Sequence, residues 1–175
     1  MEKYIDCDGV ILDTETGLFD KYYELKEANP NLTRIEYLQK LNWNYWLRQA
    51  KIINNSIELL KFYDSDKVSI LTKVHSLQEA VEKAKYFREL KIRNKIIVVP
   101  NRLEKNEIVS ANGNILVDDS RKNLSSWSNA GGIPIHFCNS TNITEYVTVQ
   151  SLEDILSDKI LDNPNVKVLV KKKNN

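Results

Sequence analysis

Two apolar runs in this chain end in paired carboxylates, and that pairing restricts the fold more than any other feature. Tyr4-Ile5 leads into Asp6-Cys7-Asp8-Gly9-Val10, and Asn114-Ile115-Leu116-Val117 leads into Asp118-Asp119. On a strand, residues i and i+2 share one face. Asp6 and Asp8 inside a packed sheet would therefore bury two like charges together, at high cost. The cost disappears if the strand has just ended and the carboxylates project into a cleft with a cation. Gly9 then lets the backbone turn away. Two strand ends tipped in this way read as one divalent-metal site.

Short apolar runs recur along the chain with helical patterns between them. Strands are predicted at 3–6, 67–72, 95–99, 114–118, 133–137 and 145–149. Val68-Ser69-Ile70-Leu71 and Ile96-Ile97-Val98-Val99 are rich in β-branched residues and nearly continuous, the pattern of central strands covered on both faces. Ser76-Leu77-Gln78-Glu79 reads as a capping box, with an apolar stripe of Leu77, Ala80, Val81, Ala84, Phe87 and Leu90 behind it. Asp119 or Ser120 is placed to cap a further helix that Gly131-Gly132 ends. Ser151-Leu152-Glu153-Asp154 resembles another capping box. The alternation predicts an α/β protein with a Rossmann-like, largely parallel sheet. In such sheets ligands bind beyond the carboxyl ends of the strands, where Asp6, Thr72 and Asp118 fall.

One segment breaks the alternation. Between residues 16 and 65 no strand is predicted. Helices are expected at 18–28, 34–41, 45–53 and 56–63, with Pro30 and Asn-rich joints between them. A βαβ crossover needs only about a dozen residues. The surplus predicts a small helical cap, residues 16–65, over the cleft of a core formed by residues 1–15 and 66–175. Trp43, Tyr45 and Trp46 cluster in that cap. Helical spacing puts Trp43 and Trp46 on one face, either as the cap's own core or as a platform for a nucleobase or another flat group.

The 175 residues suffice for one domain, or a core plus a small insertion. A net charge of +1 gives no bulk signal for nucleic acid or membrane. No apolar run is long enough to span a bilayer. Met1-Glu2-Lys3 runs into a strand without a signal-peptide pattern, and Cys7 and Cys138 form no disulfide framework. A cytoplasmic, reducing setting is the expectation. The tail Lys171-Lys172-Lys173-Asn174-Asn175 reads as a solvated, frayed end.

Asp6-Cys7-Asp8-Gly9-Val10 with Asp13-Thr14 resembles the first motif of the haloacid dehalogenase (HAD) superfamily. Ile70-Leu71-Thr72 resembles its second motif and Ile115-Leu116-Val117-Asp118-Asp119 its fourth. The stretch from Asp118 through Arg121-Lys122-Asn123 to Ala130-Gly131-Gly132 is most similar to the 5′(3′)-deoxyribonucleotidase-like branch. The helical segment matches the family's habit of placing a cap between the first two motifs. The resemblance implies a Mg²⁺-dependent phosphomonoesterase. Asp6 is then the nucleophile that forms an aspartyl-phosphate. Asp8 protonates the leaving alkoxide and later takes a proton from the hydrolytic water. Dehalogenating relatives expel a halide and lack an aspartate at that place.

Mg²⁺ removes the repulsion between carboxylate and phosphate and prefers hard oxygen ligands. The resemblance implies the side chains of Asp6 and Asp118 and the backbone carbonyl of Asp8 as those ligands. Asp119 holds a metal-bound water or a neighbouring backbone group. Thr72 is implied to donate to a phosphate oxygen, and a lysine to complete the phosphate cradle. Lys105 is chosen for its place in the loop before the fourth motif, over Arg102, Lys85 and Lys73. His136 reads as a satisfied core histidine, His75 as a surface or cap contact, and Cys7 as a small buried hydrophobe. The expected partner is a small phosphorylated substrate, a nucleoside monophosphate being the favoured class. Sugar phosphates or other small metabolites, handled by a phosphatase or phosphomutase, are the alternative, as is a catalytically idle binding protein. Neither a membrane nor stable nucleic-acid binding is expected.

Overall fold

The first strand, β1 (Lys3–Ile5), is flanked on both sides by parallel partners contributed by distant parts of the chain. The computed structural model describes residues 1–63, 66–138 and 145–171. After β1 come β2 (Leu12–Asp13), the helices α1 (Leu18–Ala28), α2 (Arg34–Lys40) and α3 (Trp43–Gln49), then β3 (Lys51–Ile52) and α4 (Ser56–Phe62). The remainder alternates: β4 (Val68–Val74), α5 (Leu77–Glu89), β5 (Lys95–Pro100), α6 (Lys105–Ile108), β6 (Ile115–Asp118), α7 (Arg121–Asn129), β7 (Ile133–Phe137) and β8 (Val147–Val149). It ends with α8 (Glu153–Leu156), a 3₁₀ turn at Lys159–Asp162 and α9 (Pro164–Lys171).

The main sheet has the order β5-β4-β1-β6-β7-β8, and every neighbouring pair is parallel. The order runs outward from β1 through β4 and β5, then reverses to run through β6, β7 and β8. That reversal is the switch point of a doubly wound sheet, where a crevice opens at the carboxyl ends of the strands. The α/β, Rossmann-like architecture read from the sequence is the one the chain adopts.

Strand alternation divides the core between the two faces. Ile5, Ile70, Val117 and Ile135 pack with Phe87 of α5 on one face. Tyr4, Leu71 and Leu116 pack with Leu124 and Trp127 of α7 on the other. Gly132 belongs to that second face: a Cβ there would come within 2.1 Å of the Trp127 ring.

Several elements depart from the sequence reading. The run Ile96–Val99 lies in an edge strand, and Val98 is exposed, so it is not a strand covered on both faces. The buried stripe of α5 is rotated. Leu77 is 82% exposed and Val81 is exposed, while Glu79, Ala80, Lys83 and Phe87 are buried. The cause is an ion pair between Glu79 and Lys83 that turns toward the sheet. Ser76 does cap α5 through Glu79 N–H, but the Glu79 carboxylate accepts from His75 N–H instead of returning to Ser76. Helix α8 starts one residue later than expected, with Leu152 at the N-cap and the Ser151 hydroxyl accepting from Glu153 N–H. Lys105 opens the short helix α6 where a loop is expected. Lys171 ends α9, which begins at Pro164, a residue pre-set for a first helical position. Residue 65, the expected cap boundary, and residues 172–175 of the tail lie outside the described residues.

The helical segment leaves and rejoins the core through a clip. β2 and β3 pair antiparallel, Leu12 with Ile52 and Asp13 with Lys51. Ile53 N–H and the Ser56 hydroxyl both donate to Ile11 O, at 3.0 and 2.8 Å. This is why the helix expected at 45–53 stops at Gln49: the chain must straighten to meet β2. α3 rests on α5, where Asn44 donates to Glu82 and Arg48 pairs with Glu89 at 2.6 Å. Among the described residues no helix is long and apolar enough to cross a membrane.

Candidate active site

Register alone brings the first two carboxylates together. Ile5 pairs with Val117, and Asp6 N–H donates to Val117 O, so Asp6 and Asp118 leave neighbouring strands at the same level. Both side chains emerge on the face covered by α6 and α7, following the parity of Tyr4 and Leu116. Lys105 reaches up from α6 between them, with Nζ 2.8 Å from Asp6 Oδ1 and 2.6 Å from Asp118 Oδ2. Asp118 is held further by Ser120 N–H and by the Asn123 amide, which donates to both of its oxygens. Asp6 Oδ1 also accepts from Cys7 N–H at 2.8 Å. Among the described residues no hydrogen bond falls on Asp6 Oδ2.

Past the strand end, a tight turn is closed by Gly9 N–H donating to Leu12 O. Gly9 has φ +74, and a Cβ there would lie 2.0 Å from Asp119 Oδ2. The glycine therefore serves both the turn and the seat of Asp119. Cys7 points the other way and is buried in the apolar core, as read from the sequence.

Asp8 is gripped from the opposite face of the sheet. Thr14 donates to its Oδ1 at 2.7 Å, while Oδ2 takes Lys83 Nζ at 2.6 Å and the Thr72 hydroxyl at 3.2 Å. Lys83 is a site residue that the sequence reading does not name. The signal was present: Lys83 sits three residues after Ala80 and four before Phe87, on the stripe that faces the sheet. Asn123 is likewise absent from the candidate residues.

The other candidates fall differently. Thr72 is completely buried and Lys105 nearly so, and neither lines the cleft. Lys73 pairs with Glu104 at 2.8 Å and does line it. Lys85 pairs with Glu82 on the surface, and Arg102 is exposed. His75 lines the cleft with its Nδ1 3.2 Å from Glu79. His136 is buried as expected, but among the described residues its Nδ1 has no hydrogen-bond partner, so there it is not fully satisfied.

Electrostatics divide the carboxylates into two kinds. Burial pushes the Asp6 carboxyl well above the usual range; Lys105 pulls against this, and Asp118 and Asp8 add to it. Asp119 is pushed up to about 7 by burial and by Asp118, Glu15 and Asp8. Burial pushes Asp8 up as well, but the Lys83 charge and hydrogen bonds from Lys83, Thr14 and Thr72 outweigh it and hold Asp8 below its ordinary value. Burial pulls the Lys105 ammonium down, and Asp118 and Asp6 more than restore it.

Asp6, Asp118 and Asp119 each offer an oxygen within 4.8 Å of the others. Three carboxylates face one ammonium, that of Lys105. The donor set is all hard oxygen and, with the three carboxylates ionised, carries two negative charges in excess, which fits a divalent cation such as Mg²⁺. The Asp8 side chain lies outside this group, bound to Lys83 and the two threonines.

The raised Asp119 value has a measurable consequence. The unfolded carboxyl releases its proton near 3.8, whereas in the fold it does so near 7. Without a cation, stability is therefore lost progressively as pH rises between those values. A cation on these carboxylates offsets that loss. Mg²⁺ should raise the thermal midpoint more at about pH 8 than at about pH 5; an equal or reversed increment would remove Asp119 from the ligand set.

Above the site lies a cavity of about 350 Å³. Asp6, Asp8, Asp119 and Asn123 form its floor. Its far wall comes from the helical segment: Leu18, Phe19, Arg34, Ile35, Leu38 and Trp43. Arg34 lies over the Phe19 ring at 3.8 Å. The two tryptophans do not share this space. Trp43 is 3% exposed and its Nε1–H donates to Leu38 O, whereas Trp46 lines a separate cavity with Tyr45.

No family model matches the chain, and no curated protein matches it in sequence. Solved structures do. A HAD hydrolase of family IA, variant 3, from Entamoeba histolytica aligns with a TM-score of 0.66 at 13% identity, over 98% of this chain and 100% of that one. A HAD-hydrolase-type protein from Bacillus subtilis, solved bound to magnesium, aligns at 0.57 and 13% identity, over 90% of this chain and 97% of that one. The D,D-heptose 1,7-bisphosphate phosphatase from Burkholderia thailandensis aligns at 0.52 and 10% identity, over 91% and 99%. None of these three is described as a deoxyribonucleotidase, so the likeness to that branch gains no support from them. With its sheet order and its acidic strand ends, the chain has the fold of the HAD-superfamily hydrolases.

Proposed function

We propose that the protein is a Mg²⁺-dependent phosphomonoester hydrolase for small phosphorylated metabolites, working through an aspartyl-phosphate at Asp6. The observation that carries this reading is the arrangement at the switch point. Asp6 and Asp118 stand level on neighbouring strands with Lys105 between them, and Asp8 is held beside the same cavity.

Asp6 attacks through Oδ2, the oxygen not engaged by Lys105 or Cys7. Its bond to phosphorus forms as the bond to the leaving oxygen breaks; Asp8, ionised at rest beside Lys83, takes up a proton from the monoanionic ester as it binds and delivers it to that oxygen. Water then attacks the aspartyl-phosphate, Asp8 takes the proton, and inorganic phosphate leaves with Asp6 restored. Lys105 keeps Asp6 in place through both steps. Asp6, Asp118 and Asp119 hold the cation, which when bound screens the charge between carboxylate and phosphate. Thr72 steadies Asp8 in the resting arrangement.

The cavity bears on the substrate. Its volume of about 350 Å³ suits a small phosphate ester. The indole pair expected to stack a nucleobase is divided between two cavities, which favours sugar phosphates or similar metabolites over nucleotides. The heptose bisphosphate phosphatase of the same fold acts on a sugar phosphate.

The test is a hydrolysis screen of sugar phosphates, nucleoside monophosphates and an aryl phosphate, with Mg²⁺ and with excess chelator. Activity should depend on Mg²⁺, vanish with chelator, and be faster on sugar phosphates. Faster turnover of nucleoside monophosphates would restore the nucleotidase reading. Phosphoryl transfer between sugar positions would make it a phosphomutase. No hydrolysis of any substrate would leave a binding protein.

A further inference from the structure

Lys83 is completely buried, projects from α5, and has no place in the mechanism above. Its ammonium meets Asp8 Oδ2 at 2.6 Å, Glu79 Oε1 at 2.8 Å, the Thr72 hydroxyl at 3.2 Å and Lys73 O at 3.4 Å. On its remaining side the Trp43 ring, from α3, lies 5.2 Å away. Glu79 is 1% exposed and also accepts from His75 N–H.

Stability alone does not account for this cluster. Replacing a buried ion pair by apolar residues of similar volume is often neutral or stabilising. Leucines at both positions would extend the stripe of Ala80 and Phe87. The ammonium instead ends on the one carboxylate that must transfer a proton, and on the threonine that steadies it. Glu79 pairs with the same ammonium at 2.8 Å and fixes where this donor stands against Asp8. The Asp8 oxygens then have fixed directions: Thr14 sets Oδ1, and Lys83 with Thr72 sets Oδ2. Proton transfer needs a carboxyl held to hydrogen-bond reach of the leaving oxygen.

We propose that Lys83, paired with Glu79, is a positioning residue that fixes the Asp8 carboxylate for proton transfer to the leaving group. The inference rests on the phosphatase reading. It also ties the helical segment to the chemistry, since α3 lays Trp43 against the same ammonium and seals it from water.

The test compares an alkyl phosphate, whose leaving group needs a proton, with an aryl phosphate, whose phenolate leaves more easily. Lys83→Met removes the cation. The double variant Glu79→Gln with Lys83→Met also removes the Glu79 charge and keeps an acceptor for His75 N–H, so it leaves no unpaired carboxylate at Glu79 if the single variant fails to fold. In both, alkyl phosphate turnover should fall by about tenfold to a hundredfold more than aryl turnover, the size typical of losing an orienting partner. Lys83→Arg should recover part of the ratio. A merely structural lysine would lower both rates together, and an unchanged alkyl-to-aryl ratio in a folded variant overturns the proposal. If the wild-type protein hydrolyses no phosphate ester, the phosphatase reading fails by itself. A crystal structure of the double variant then decides the positioning: Asp8 should swing off Thr72, and an Asp8 that stays in place overturns the proposal.

Discussion

Asp6→Asn should lower aryl phosphate turnover by at least about a thousandfold and leave the protein folded. The asparagine oxygen can still accept from Cys7 N–H and Lys105, the two contacts that hold Asp6 Oδ1. What disappears is the unengaged oxygen that forms the bond to phosphorus. Because burial and the neighbouring carboxylates disfavour charge on Asp6, the neutral amide should not weaken the cation-free fold. The melting curve of the variant checks this. The cation retains Asp118 and Asp119, so Mg²⁺ titration by calorimetry separates a lost nucleophile from a lost ligand. Acid quenching during turnover should trap phosphate on the wild type and none on the variant. Turnover near the wild-type rate would remove Asp6 from the mechanism.

The parts of this site legible in the sequence are those set by strand geometry. Paired carboxylates after apolar runs were readable because a period-two element cannot bury them. Register then placed Asp6 beside Asp118 without further information. Lys105 was reachable only by its position along the chain, since nothing local marks it as buried. Lys83 escapes the sequence pattern because an apolar stripe through α5 starts from Leu77, a residue that the fold leaves in solvent. A buried Glu79–Lys83 pair overrides hydrophobic periodicity, and periodicity carries no record of it.

Similar limits apply to the elements. An apolar run such as Ile96–Val99 looks the same in an edge strand and a central one, because sheet order is a tertiary property. β3 is two residues long and exists because the chain must close a clip with β2. α9 was hidden by its lysine-rich end, although Pro164 marks its start. Trp43 and Trp46 share a helix face by spacing alone, yet the turn into α3 buries one indole and leaves the other beside Tyr45.

Lys105→Met should be the most destabilising single change at the site. The lysine is the only ammonium within hydrogen-bond reach of Asp6 and Asp118 among the described residues, and all three groups are buried. Removing one partner of a buried pair typically costs about 3–5 kcal/mol, because the charge left behind is unpaired. For a domain of this size that corresponds to a fall of about 6–20 °C in thermal midpoint. Methionine matches the volume of the lysine stem, so the loss reports charge and not a cavity. The sign of the pH effect follows from Asp6, whose carboxyl is pushed well above the usual range by burial: a protonated Asp6 no longer repels Asp118, so the deficit should shrink toward acid pH and grow toward alkaline pH. Mg²⁺ supplies positive charge at the same carboxylates and should raise the midpoint of the variant more than that of the wild type. Asp118 would keep Ser120 N–H and Asn123 as donors, but neither carries a charge to replace the ammonium. A variant that melts with the wild type at alkaline pH without Mg²⁺ would mean that Lys105 does not neutralise the pair, and the charge count that calls for a divalent cation would fail with it.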